Sequence, residues 1–92
     1  MVLLIKPQFE AGKEFLSKNG IVRNPKAHVI VIEKIIKSFN EQGYHLNNIS
    51  YAPIYSKDKN IEYLALFTKS ASNTPDIKQL VNFAFNLQKN IK

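Results

Sequence analysis

The run Val2-Leu3-Leu4-Ile5, closed by Lys6-Pro7, constrains this chain most. Consecutive apolar residues predict a strand buried on both faces. The proline removes a backbone donor, so pairing ends there. A chain of 92 residues supplies one core, which makes residues 1–92 a single domain. In open α/β sheets, ligands bind beyond the carboxyl ends of the strands. Lys6 ends this strand, where chemistry is expected. The alternative is a lysine that lays its stem on the strand end and its amine in water.

Other elements follow in order. Asn24 predicts an N-cap and Pro25 the first helical position. Ile32, Ile35, Ile36 and Phe39 recur at helical spacing, and Gly43 suits the position after the helix. A helix is expected over 25–42, although Val29-Ile30-Val31-Ile32 has strand propensity. Residues 7–24 form a long polar connection, with one or two helical turns between Glu10 and Lys18 as an option. A second strand is expected within Asn48 to Ile54, and a polar turn over 56–60. The third strand, Ile61 to Thr68, has apolar residues on both faces and is expected to be covered on both. Thr74 and Pro75 are expected to open a last helix with Ile77, Leu80, Val81, Ala84, Leu87 and Ile91 on its inner stripe.

The order strand, helix, strand, strand, helix predicts an α/β fold. A right-handed crossover makes strands one and two parallel, and a hairpin returns strand three antiparallel. Strand one therefore ends where strand three begins. Lys6 and Glu62 share one sheet edge, beside the turn that carries Lys57 and Lys59. If strand three lies between the other two, adjacent strands are about 4.8 Å apart and the two side chains can meet. In the order 1-2-3 the separation roughly doubles.

Glu62 shares a strand face with Leu64 and Leu66. A buried carboxylate needs a partner; a carboxylate at a strand end can reach water instead. The formal charge of +6 favours an acidic partner such as RNA, and Lys13, Lys18, Arg23, Lys57 and Lys59 are the candidate phosphate contacts near that edge. Solvation of an ordinary loop accounts for them equally well. The absence of cysteine excludes disulfides, a thiolate nucleophile and cysteine-ligated zinc. His28 and His45 are not spaced as a metal pair, so no metal is expected. His28 reads as a surface or packing residue. Gly12, Gly20 and Gly43 make neither a phosphate loop nor a dinucleotide fingerprint. The apolar run at the N-terminus is too short for a signal peptide, and no stretch approaches the length of a membrane span. A cytoplasmic protein with no membrane contact is expected.

Leu4-Ile5-Lys6-Pro7-Gln8-Phe9-Glu10-Ala11-Gly12, then Gly20-Ile21-Val22-Arg23-Asn24-Pro25 with His28, then Ile61-Glu62-Tyr63-Leu64 together resemble one family. It is the haemolysin A (TlyA-type) group of FtsJ-like ribosomal RNA methyltransferases. The likeness covers nearly the whole chain and is weakest from Asn73 onward. It implies a partial Rossmann-like methyltransferase sheet of three strands in the order 1-3-2, strand three antiparallel, with two main helices. It implies methyl transfer from S-adenosylmethionine to a ribose 2′-hydroxyl of ribosomal RNA. By the same resemblance Lys6 is the second lysine, and Glu62 the glutamate, of a Lys-Asp-Lys-Glu tetrad. The family's first lysine, its aspartate, its glycine-rich cofactor motif and its RNA-binding domain have no counterpart here. The chain therefore reads as the last third of a longer protein, inactive alone and binding no cofactor, with Met1 an engineered start or that of a shortened reading frame. The alternative is a standalone RNA-binding or self-associating module. The free edge of strand one, Val2 to Ile5, is expected to pair with a second copy unless the long loop covers it.

Overall fold

The computed structural model describes residues 1–10, 22–70 and 75–91. Strand β1 spans Val2–Ile5, helix α1 Pro7–Glu10, helix α2 Pro25–Glu41, strand β2 His45–Tyr51, strand β3 Tyr63–Thr68 and helix α3 Ile77–Lys89. The sheet order is β1-β3-β2, and β3 runs antiparallel to both neighbours. This is the inserted order. The pairing of β1 with β3 runs from Val2 opposite Leu66 to Ile5 opposite Tyr63. Met1 extends it: its ammonium donates to the Phe67 carbonyl at 2.9 Å, and its carbonyl accepts from the Phe67 amide at 2.8 Å.

Local chemistry decides α2 against the strand propensity of its middle. Asn24 Oδ1 accepts from the Lys26 amide at 3.0 Å, and Pro25 presets the first turn. The β-branched run then finds a helical division of labour: Val31 and Ile32 are buried, and Ile30 is exposed. Gly43 follows the helix at φ +86°, a backbone conformation that costs glycine little.

The second strand starts earlier than the expected 48–54, at His45, and ends at Tyr51. A bulge explains the shift. Leu46 faces Phe67 while Asn48 faces Leu66, so Asn47 is an extra residue. The bulge puts Leu46 and Ile49, three apart, on one buried face. Asn47 Nδ2 donates to Thr68 Oγ1 and holds it. Strand β3 starts at Tyr63 rather than Ile61, although the Ala52 amide still donates to the Glu62 carbonyl at 2.8 Å. The last helix is capped by Asp76, whose Oδ1 accepts from the Gln79 amide at 3.0 Å; Pro75 precedes the helix, and Thr74 lies outside the described residues.

The core lies between the sheet and both long helices. Ile5, Ile49, Tyr63, Ala65 and Phe67 pack with Val31 and Ile32 of α2 and with Ile77, Val81 and Ala84 of α3. Phe39 meets Phe67 edge to face, ring centroids 4.4 Å apart. The expectation that β1 and β3 are covered on both faces fails. Both helices pack on one side, and Val2 (70%), Leu4 (44%), Leu64 (40%) and Leu66 (38%) remain exposed on the other. Their pairing, Val2 with Leu66 and Leu4 with Leu64, makes them one apolar patch. No described helix is long and apolar enough to cross a membrane.

Candidate active site

The β1–β3 register fixes the site. Its last pair is Ile5 with Tyr63; Lys6 follows the one and Glu62 precedes the other, so both flank that pair at one edge of the sheet. Both residues are half-buried. Pro7 ends β1 and starts α1 at once, and that turn carries Gln8 to the same edge. Gln8 Nε2 donates to Glu62 Oε2 at 3.2 Å, a bond that orients the carboxylate. Gln8 Oε1 is buried and meets no donor among the described residues. Glu62, Gln8, Lys59 and Asn60 line a cleft of about 350 Å³ with residues 53–56.

Behind this cleft lies a polar lock. The Val22 amide donates to Asn60 Oδ1 at 2.8 Å. The Val22 carbonyl lies 3.0 Å from His28 Nε2, and Tyr63 Oη lies 2.9 Å from His28 Nδ1. A carbonyl only accepts, so Nε2 carries the proton and Nδ1 accepts from the tyrosine hydroxyl. His28 is thus a packing histidine, fully buried and not a surface one, with its pKa lowered by desolvation against the smaller opposing effect of the Val22 carbonyl. Burial likewise pushes the Tyr63 phenol up, so it remains a donor. The lock ties the end of the 7–24 connection to Asn60 and Tyr63, on either side of Glu62.

The expected phosphate contacts divide. Lys13 and Lys18 lie outside the described residues. Arg23 and Lys57 are together: Arg23 Nη1 donates to the Lys57 carbonyl at 3.4 Å, and Nη2 lies 3.9 Å from Asp58 Oδ1. Lys59 stands instead in the Glu62 cleft. Gln88 of α3 lies between the two groups, donating to the Ser56 carbonyl at 3.1 Å and the Lys59 carbonyl at 2.7 Å. Gln8, Asn60 and Gln88 escape a reading of the sequence, since amides carry no periodic or motif signal. The KPQ run alone hints at Gln8. Among the described residues no cluster of histidine and carboxylates could hold a metal ion.

The family profile of the FtsJ-like methyltransferases matches residues 1–69. The chain belongs to the FtsJ-like methyltransferase family. Within it, the similarity is to the haemolysin A and TlyA proteins. Hemolysin A of Brachyspira hyodysenteriae is 39% identical over 66 residues, 72% of this chain and 28% of that protein. The 23S rRNA (cytidine-2′-O)-methyltransferase TlyA of Campylobacter jejuni is 32% identical over 71 residues, 76% of this chain and 28% of that protein. A solved structure from Streptococcus thermophilus, described as a hemolysin, superposes with a TM-score of 0.78 at 37% identity, covering 97% of this chain and 34% of that one. The chain thus spans under a third of the length of these curated relatives.

The family's rRNA methylation implies S-adenosylmethionine in its full-length members. Among the described residues the one glycine, Gly43, closes a helix and forms no phosphate- or nucleoside-binding turn for that group.

Proposed function

We propose that residues 1–92 are the carboxyl-terminal part of an rRNA 2′-O-ribose methyltransferase domain, and that Lys6 and Glu62 are its share of a Lys-Asp-Lys-Glu tetrad. The observation that supports the reading is the β1–β3 register, whose last pair, Ile5 with Tyr63, is flanked by Lys6 and Glu62 in a chain of this family. Lys6 binds and orients the ribose 2′-hydroxyl, and Glu62, held by Gln8, positions the amine. Arg23, Lys57 and Lys59, with Lys13 and Lys18, hold RNA phosphates. The substrate is ribosomal RNA, alone or in ribosomal subunits, and the place of action is the cytoplasm. The methyl donor is held by parts of the domain that this chain does not contain, so the chain is inactive alone.

The test is a graft. Residues 1–69 replace the matching segment of the Campylobacter jejuni relative, and 2′-O-methylation of cytidine in rRNA is measured. The graft is expected to turn over, and Lys6→Ala or Glu62→Ala to slow it about a hundredfold or more. A folded graft that is indifferent to both substitutions overturns the reading. Calorimetric titration of the isolated chain with S-adenosylmethionine is expected to give no saturable heat; micromolar binding would contradict it.

We also infer self-association along β1. Its outer edge pairs with no other strand among the described residues, and the adjoining patch of Val2, Leu4, Leu64 and Leu66 is exposed. An apolar edge of this kind recruits another chain. Light scattering over a dilution series is expected to find a dimer; a monomer at high concentration refutes this.

A further inference from the structure

We propose that the cleft between the end of α3 and the 53–60 connection binds one nucleotide of single-stranded RNA, next to the nucleotide held at Lys6 and Glu62. This rests on the reading of that edge as an RNA site. The cleft measures about 510 Å³, within the ~300–1,000 Å³ range of small-ligand sites. Arg23, Lys57 and Lys89 supply three cations on its walls, and Phe85 and Asn86 supply an aromatic ring and an amide. Asp58 is the nearby acid, an exposed side chain engaged by Arg23.

Two features favour a nucleotide over an acidic peptide. Phe85 is a fixed ring, its centroid 4.8 Å from that of the buried His28 at an interplanar angle of 75°. A base stacks on such a surface whatever its identity, and only unpaired bases are free to do so. Arg23 is the other. The Lys57 carbonyl and Asp58 hold its guanidinium, yet its five N–H groups leave donors for a phosphate.

The position matters as much as the chemistry. Gln88 lines both this cleft and the Glu62 cleft. Its amide bridges the Ser56 and Lys59 carbonyls, so a fixed ridge divides two adjoining clefts. A strand with its target ribose at Glu62 crosses this ridge to put its neighbouring nucleotide over Phe85. Lys89 and Phe85, both from α3, thereby become part of the RNA path.

The test is fluorescence anisotropy of a labelled single-stranded RNA 12-mer on the intact chain at several salt concentrations. Lys57→Glu and Lys89→Glu are each expected to weaken binding about tenfold and to flatten the salt dependence by about 0.7 for each phosphate no longer held. Lys34→Glu and Lys37→Glu, on the exposed side of α2, are expected to change affinity less than about twofold. Phe85→Leu, with an unchanged far-ultraviolet spectrum, is expected to weaken binding roughly five- to tenfold at an unchanged salt slope. Binding is read here without turnover and the graft reads turnover, so failure of the catalytic reading and failure of the cleft register separately. Equal effects of the α2 and cleft charge reversals overturn the proposal. So does competition by polyglutamate as strong as by RNA of equal charge.

Discussion

Protonation of His28 should destabilise this protein at mildly acidic pH. The ring is fully buried, and both its nitrogens are engaged, Nε2 by the Val22 carbonyl and Nδ1 by Tyr63. Desolvation lowers its pKa below the ordinary histidine value of 6.5. A base with a lowered pKa in the folded state takes up its proton later than the unfolded chain does. Stability therefore rises with pH through this window and is complete above 6.5. It is lost as pH falls from 6.5 toward the folded-state value. If the native state takes up no proton down to pH 5.5, stability falls by about 1.4 kcal/mol between pH 7.5 and 5.5. That is a substantial share of the roughly 5–15 kcal/mol that holds a small domain together. Urea denaturation, followed by far-ultraviolet circular dichroism because the chain lacks tryptophan, gives the midpoint at each pH. The midpoint of His28→Gln is expected to be lower at pH 7.5 and nearly flat over the window. Parallel curves for the two proteins would refute the assignment of the acid sensitivity to this ring.

The two faces of β3 should respond oppositely to substitution. Phe67→Ala is expected to cost about 3–5 kcal/mol, whereas Leu64→Lys is expected to cost under about 1 kcal/mol; thermal melts compare them. Gly43→Ala meets no atom within 4 Å of the added carbon, so its cost is the positive φ alone, about 1 kcal/mol by urea denaturation.

How far the fold could be read from the sequence depended on the kind of signal each element carries. Helix α2 was legible because Asn24, Pro25 and Gly43 mark its ends by chemistry that acts within a turn. Strand β3 was legible from its run of apolar residues, but its environment was not. The pattern Tyr63-Leu64-Ala65-Leu66-Phe67 is apolar at every position, and nothing local says that both helices settle on the face of Tyr63, Ala65 and Phe67. The start of β2 was missed for another reason. The bulge at Asn47 breaks the alternation that reveals a strand, so Leu46 looked unrelated to Ile49 although both face the core. Helix α3 opens later than Thr74 and Pro75 suggest, because Asp76 is the cap itself.

The site divides along the same line, between what a short motif carries and what only topology decides. Lys6 and Glu62 are 56 positions apart, and strand direction alone brought them to one edge. Whether they are neighbours turned on sheet order, which no local pattern of these residues settles; the resemblance supplied it, and the observed order β1-β3-β2 agrees. The partner that orients Glu62 was still missed. Gln8 sits two residues beyond Lys6, and in an extended chain it would lie roughly 7 Å further along the strand direction. It reaches Glu62 because Pro7 turns the backbone into α1 immediately after the strand. The proline was read as a stop for β1, and its second effect is to return the chain toward β3. Arg23 and Lys57 likewise meet only because the lock of Val22, His28 and Asn60 holds the far end of the 7–24 connection against the 53–60 turn. The chemistry proposed for this edge therefore rests on two charged residues that the sequence advertises and on neutral amides that it does not.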